Sequence, residues 1–530
     1  MPPDFATTDT APEVAPDIAP GTGPDTAPDT VPNTVPNIVP GANPLGVAII
    51  GAGFGGIGMA IRLKQQGRTD FLVFEQADDI GGTWRDNHYP GCACDIPASL
   101  YSFSFATNGR WSRRYPTQPE ILAYLRACVD RFGVRSHLRL GLGLVAARFD
   151  AGTGLWQLSL TDGSAAAARA LVVSVGQLHT PFVPDLPNLE SFAGPRFHSA
   201  CWDHAVDLGG KRVAVIGSGA SAVQFVPRIA EQAASVTVYQ RTAPWILPKR
   251  DPVNGLLKRS VMARCAPARR LARAWTFLAH DWRAVGFVWA PWLLTAVERR
   301  ARSFAKRELA NGDVRTAVTP DYRIGCKRIL LSNDFLAALN RPTVAVVTDP
   351  IASVSPTSVV TADGSARPAD VLVFATGFRA SQPLSGVCII GPSGQSLADA
   401  WRDGMAARLG VAVAGFPNLF LLGGPNTSLG HNSVVFMLEA QIGHILRCLR
   451  RLGGHRALDV RPEAQARFLA WLDRRMRRTV WLSGCRSWYL DRSGRNTTLW
   501  PGFAAGYWLR MRQPIGEAYR VTPRNRIPDD

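Results

Sequence analysis

At 530 residues the chain exceeds one ordinary domain and has room for roughly three. Hydrophobic residues make up 46% and charged ones 19%, with 15 Trp and 23 Phe, which excludes a wholly disordered or fibrous chain. Lys and Arg number 59 against 41 Asp and Glu, a net charge of +18 that suits phosphate-bearing ligands or anionic surfaces, yet these basic residues are scattered and form no nucleic-acid-reading motif.

Residues 1–45 are proline-rich, and a four-residue unit recurs from Pro24 to Pro40 as PDTA, PDTV, PNTV and PNIV. Proline at that density blocks helix and sheet and leaves little for a core, so a disordered tail with no catalytic role is expected. The start of the chain lacks the basic, apolar, small-residue order of a signal peptide.

The folded part opens on Gly46-Val47-Ala48-Ile49-Ile50, an apolar run suited to a strand buried on both faces of a parallel sheet. It leads into Gly51-Ala52-Gly53-Phe54-Gly55-Gly56, a helical stretch over 57–66, a second strand over 71–74, and Glu75 at that strand's end. Gly51, Gly53 and Gly56 let the backbone approach a pyrophosphate, the helix start supplies N–H groups, and Glu75 can bond a ribose hydroxyl. With all these parts in register, a dinucleotide site is predicted.

The pattern repeats. A strand over 211–216 runs into Gly217-Ser218-Gly219-Ala220-Ser221-Ala222, a helix to 230 that carries Gln224, and a strand over 236–239. Gln240-Arg241-Thr242 then places a cation where the first motif has an acid. An acid there repels a 2′-phosphate and arginine pairs with it, so the second nucleotide is expected to be NADPH. Apolar runs over 170–176 and 370–377, each ending in glycine, mark where the chain crosses between modules.

The fold class is therefore α/β, with two Rossmann-like dinucleotide-binding domains and a helical insertion. One dinucleotide module inserted within the other implies a flavin fed electrons by a nicotinamide, so an FAD domain formed by 46–185 and 375–530 is split by an NADPH domain over 186–374, which carries the insertion at about 250–325. The insertion's aromatics, Trp275, Phe277, Trp282, Phe287, Trp289 and Trp292, are read as core side chains. The window 275–297 is apolar, but His280, Asp281 and Arg283 make it too polar to span a bilayer. Nine cysteines, from Cys92 to Cys485, include no C-x-x-C pair and no metal-ligand spacing. The expectation is a reduced, cytoplasmic protein with no metal site and no integral membrane segment.

The stretch Phe192-Ala193-Gly194-Pro195-Arg196-Phe197-His198-Ser199-Ala200-Cys201-Trp202-Asp203 fits F-x-G-x-x-x-H-x-x-x-W-[P/D]. It resembles the fingerprint of type I Baeyer–Villiger monooxygenases, the class B flavoprotein monooxygenases that use FAD and NADPH. Gly81-Gly82-Thr83-Trp84, Tyr89-Pro90-Gly91, Cys94-Asp95 and Tyr101 are similar to that family's flavin-edge segment. The likeness continues through Gly325-Cys326-Lys327-Arg328, Ala375-Thr376-Gly377-Phe378, Gly424-Pro425-Asn426-Thr427, Gly430-His431, Ser487-Trp488-Tyr489 and Leu499-Trp500-Pro501-Gly502, covering nearly everything after residue 45.

The resemblance implies insertion of one oxygen atom from O2 beside a ketone carbonyl, giving an ester or lactone through an anionic C4a-peroxyflavin. Arg328 is then the catalytic cation beside the flavin, with Asp95 facing it. Gly51, Gly53, Phe54, Gly56, Glu75, Thr83, Trp84, Asp95 and Tyr101 are expected on FAD. Gly217, Ser218, Gly219, Ala220, Ser221, Ala222 and Gln224 are expected on NADPH, with Arg241, Thr242 and Lys327 at its 2′-phosphate and Trp488 near its nicotinamide end. His198 belongs to a linker that couples domain movement to cofactor binding, and is not expected to act as a base. Arg408 departs from the family pattern, where tyrosine is usual. A flavin monooxygenase acting on nitrogen or sulfur is the alternative within the class, and the fingerprint tryptophan speaks against it. A disulfide reductase would need a redox dithiol near the first module.

Overall fold

A computed structural model describes residues 43–453 and 455–523, so most of the expected tail lies outside the described residues. The first sheet has five parallel strands in the order Leu419–Leu421, Leu171–Val173, Val47–Ile50, Phe71–Phe74 and Leu138–Arg139. Alternation along Val47–Ile50 feeds two cores. Val47 and Ile49 join Ile57 and Ile61 of the helix Phe54–Gln65, while Ala48 and Ile50 join Trp156 and Leu158 of a four-stranded sheet on the other face. Both faces are covered, which is why the run is apolar throughout.

The second sheet is also parallel, in the order Val344–Val347, Ser235–Tyr239, Arg212–Ile216, Val371–Phe374 and Arg196–His198. Its edge strand Arg196–His198 comes from the fingerprint stretch. Phe192 and Trp202 are buried on either side of it, and a Cβ at Gly194 would stand 2.2 Å from the Asp370 carbonyl oxygen. The two crossings between the sheets run side by side: the Phe182 N–H donates to the Gly377 carbonyl (2.9 Å) and the Arg379 N–H to the Thr180 carbonyl (3.0 Å).

The insertion leaves from Ile246–Leu247 and returns at Leu330–Leu331, two strands paired in parallel. Between them lie the helices Leu256–Arg264, Ala266–Asp281, Leu294–Glu308 and Gly312–Ala317. Asp281 ends the second of these as a buried carboxylate that accepts from the Ala504 and Ala505 N–H groups (2.7 and 3.2 Å), at the start of the helix Ala504–Met511. Burial pushes its pKa up, but His431 and those N–H donors outweigh burial and hold it below the usual carboxylate range. Among the described residues no helix is long and apolar enough to cross a membrane.

Two sequence-based expectations are corrected here. Phe287 is buried and Phe277 packs on Phe436, but Trp275, Trp282, Trp289 and Trp292 stand 74, 71, 41 and 68% exposed. The inward face of Ala266–Asp281 is taken by Arg269, Arg273, Thr276 and His280, which bond to backbone carbonyls, so its tryptophans take the other face. Nor are all nine thiols free, because Cys326 is joined to Cys485 across 159 residues of sequence. No local spacing announces a pair that only the tertiary fold brings together. Purified in air and denatured without reductant, the chain should titrate seven thiols, and nine after reduction. Nine in both samples would refute the link.

Burial pulls His198, His280 and His444 from an ordinary value near 6.5 down to about 4. Between those two values the unfolded chain binds more protons than the folded one, so stability is full above about pH 6.5 and falls as the pH drops towards 4. Each contributes about 1–3 kcal/mol to that loss. Denaturation midpoints measured at neutral pH and near pH 4.5 check this. A pH-independent midpoint, or a slope unmoved by His444→Gln, would contradict it.

Candidate active site

Two glycine turns build the nucleotide cradles. Gly51 and Gly217 sit at φ +97° and +106°, each with a carbonyl (Ser174 O at 2.6 Å, Ala375 O at 2.5 Å) where a Cβ would be. At Gly56 a Cβ would fall 1.8 Å from the Gly51 carbonyl oxygen, so this glycine sets the close packing of helix on strand. Gly53 and Gly219, by contrast, face open space. Their nearest neighbours, the Gly82 Cα and the Ala375 O, are 3.9 and 3.8 Å away. The helices Phe54–Gln65 and Ala220–Ile229 begin directly after them with no side-chain cap and no acid in the first turn. Such a start leaves N–H donors aimed at an open cradle, which fits a pyrophosphate.

Glu75 stands where the sequence predicts, buried at the end of Phe71–Phe74. Its carboxylate accepts from the Ala52 N–H (2.7 Å) and pairs with Arg85 (3.2 Å). The segment after it carries Thr83 and Trp84 on one helical turn. The Trp84 indole donates to the Tyr101 hydroxyl (3.1 Å), and Tyr101 meets the ring of Phe54 edge-on at 5.2 Å. These three rings form an aromatic wall beside the first cradle.

Arg328 and Asp95, 233 positions apart, meet there. Arg328 Nε and Nη2 donate to both Asp95 oxygens at 2.6–2.8 Å, a bidentate pair with side chains 32 and 27% exposed. The Asp95 carboxylate raises the guanidinium pKa further, against desolvation, so Arg328 stays charged. Nη1 bonds no protein acceptor among the described residues. The preceding side chain turns the other way. The Lys327 ammonium lies 4.8 Å over the Tyr322 ring, and its pKa is lowered by burial and by nearby Arg241. Lys327 and Arg241 therefore converge on the end of the strand Ser235–Tyr239, beside Thr242 and Ser218, whose hydroxyl donates to the Thr242 carbonyl (3.4 Å). One dipeptide thus faces both cradles.

Gln224, expected on NADPH, also makes contacts within the protein. Its amide accepts from the Tyr89 hydroxyl (3.0 Å) and donates to the Ala93 carbonyl (2.9 Å), tying the flavin-edge segment to the second module's helix. Ser221 and Ala222 lie on the first turn of that helix, Ala222 buried. His198 is buried. Its Nδ1 accepts from the Ala200 N–H (3.1 Å), and its ring meets Phe378 edge-on at 5.6 Å, a packing position at the crossing. Trp488 is 40% exposed and meets the Tyr489 ring at a tilt, with centroids 4.6 Å apart. Arg408 lies over the Tyr519 ring at 5.7 Å, a packing contact.

Tyr489, in a matched stretch but given no role there, is buried beside Arg328, with burial raising its hydroxyl to about 12. Its place next to Trp488 in a matched motif was the available signal. The Cys326–Cys485 link fastens the Arg328 segment to the one bearing Trp488 and Tyr489.

Two open glycine cradles on two parallel sheets, with a fixed cation between them, define an oxidoreductase that brings two dinucleotides together. Residues 48–262 match the family model described as pyridine nucleotide-disulphide oxidoreductase. A Baeyer–Villiger monooxygenase of Pseudomonas aeruginosa is 44% identical over 480 residues, 90% of this chain and 91% of that protein. The closed crystal structure of cyclohexanone monooxygenase is similar with a TM-score of 0.83 at 27% identity, covering 91% of this chain and all of that one. The OTEMO complex with FAD and NADP gives 0.82 at 26% identity, over 90 and 99% of the two chains. The chain belongs to the Baeyer–Villiger monooxygenase family.

Proposed function

We propose that the protein is an FAD- and NADPH-dependent Baeyer–Villiger monooxygenase that converts a ketone to an ester or lactone, in the cytoplasm where NADPH is regenerated. The observation that carries this reading is the Arg328–Asp95 pair, held against the aromatic wall of the first cradle. The uncapped cradle after Gly53, with Glu75 at its far end, is the place for FAD, and the one after Gly219 for NADPH. Bound FAD, reduced by NADPH, supplies the activation of dioxygen.

The chain's own residues do the rest. Asp95 fixes the guanidinium by two of its three nitrogens and leaves Nη1 to face the reactants. Arg328 cannot release a proton near neutral pH, so it serves as a permanent positive charge for the carbonyl oxygen as that oxygen becomes an alkoxide. Tyr489 and Trp488 close the same side, and Lys327 and Arg241 hold the nucleotide phosphate at the other end. The domain division that fits is an FAD unit from 46–185 and 375–530, with the NADPH unit 186–374 set between.

The test is turnover of a ketone panel under oxygen-18 gas with NADPH. One labelled atom should enter the product ester. Labelled sulfoxides or N-oxides with no ester from any ketone would overturn the reading in favour of an electrophilic oxygenase.

A further inference from the structure

The helices Leu256–Arg264 and Ala266–Asp281 wear their apolar faces outward. On the second, the inward face is largely polar, with Phe277 packed on Phe436 as an apolar exception. Arg269 donates to the carbonyls of Met262 and Ala263, Arg273 to those of Ser99 and Ser102, and His280 and Asp281 are buried. The outward face repeats Leu271, Trp275, Leu278 and Trp282 at helical spacing, 61–74% exposed. The first helix buries none of its residues and holds Leu256 and Leu257 at 83 and 81% exposure. Exposed leucine and tryptophan side chains repeated along one helix face mark an interaction site.

Charge selects the occupant. Residues 252–280 contain no Asp or Glu and six cations, of which Lys258, Arg264 and Arg270 flank the exposed stripe. A second copy docked through the same face about a twofold axis would set these cations against each other. An anionic bilayer complements them, and a helix with leucine and tryptophan on one side and bordering cations is suited to lie in the headgroup plane. Beside the helices is a cavity of about 400 Å3, lined by Met262, Trp275, Pro97 and Ala98 and also by Lys258, Arg269 and Arg273, with Pro97 two residues beyond Asp95. We infer that the Leu256–Asp281 face seats the protein on an anionic lipid surface and admits an apolar ketone from the bilayer into this cavity. The ketone part rests on the function proposed above, whereas the seating does not.

Cosedimentation of the full chain with vesicles tests the seating. Vesicles of phosphatidylcholine containing phosphatidylglycerol should bind the protein, and high salt or pure phosphatidylcholine should weaken the binding. Leu271→Glu with Leu278→Glu should lower the partition coefficient about tenfold or more, with turnover of a water-soluble ketone unchanged in the absence of vesicles. Trp282→Ala is a milder second variant, expected to lower it several-fold. Absence of binding to anionic vesicles, equal binding to pure phosphatidylcholine, or binding unmoved by both variants would overturn the inference. So would a lipid-free dimer that the double variant dissolves, which would assign the face to a second copy. Vesicle binding by a chain that oxidises no ketone would refute the proposed function and leave the seating standing.

Discussion

Arg328→Ala should leave NADPH-driven reduction of the bound flavin within about threefold of normal, while ester formation falls by about 10²–10³-fold or more. The asymmetry follows from position. Arg328 spends Nε and Nη2 on Asp95 and lies near the hydroxyls of Tyr101 and Tyr489. The second nucleotide's phosphate end is served by other side chains, Lys327 and Arg241, so hydride delivery loses nothing directly. What disappears is the positive charge for an anionic adduct in a site partly closed to water. NADPH is then oxidised with hydrogen peroxide as the product, or oxidised only slowly. Arg328→Lys should recover little, because an ammonium cannot take both Asp95 oxygens and still present a fixed donor. Asp95→Asn should give a smaller loss, since it frees the guanidinium without removing it. Stopped-flow reduction beside ester yield separates the two half-reactions. Normal ester yield in Arg328→Ala would remove this residue from the chemistry.

How much of this was legible depended on whether the signal was local. The strand, glycine turn and helix at 47–65 and again at 212–229 are written in consecutive residues. Glu75 and Arg241 follow at fixed offsets, and the structure puts each where that pattern requires. Arg328 and Asp95 lie 233 positions apart, so no spacing rule pairs them; only the likeness to a family brought them together, and the bidentate contact then agrees. Cys326 and Cys485 had no such guide and were read as free thiols. Gln224 stood on the right helix, but the direction of its amide is a tertiary fact. The insertion's tryptophans show a different limit. Periodicity says that Ala266–Asp281 has two unlike faces, but not which one the protein claims. Here Arg269, Arg273 and Asp281 each find fixed partners inside, and the indoles are left outside.

Arg241→Ala and Lys327→Ala should each lower kcat/KM for NADPH about ten- to a hundredfold, and the double variant by up to about 10³-fold, while NADH changes by less than about threefold. Two cations within electrostatic reach of each other at one strand end are mutually unfavourable until an anion comes between them. That cost is visible in Lys327, whose pKa the nearby Arg241 helps to depress. A 2′-phosphate relieves it, and NADH brings nothing that does. Arg241 is exposed, so its share is screened by salt and belongs at the lower end of the range. Lys327 is half-buried over Tyr322 and belongs at the upper end. Removing one cation relieves the other, so the two losses should combine to less than their product. Arg241→Glu goes further, since a carboxylate at this strand end repels the phosphate and should move the preference toward NADH. Steady-state kinetics with both nucleotides at two ionic strengths measures all of this. If NADPH and NADH lose kcat/KM equally in the double variant, these two side chains act on the fold of the module and not on the phosphate.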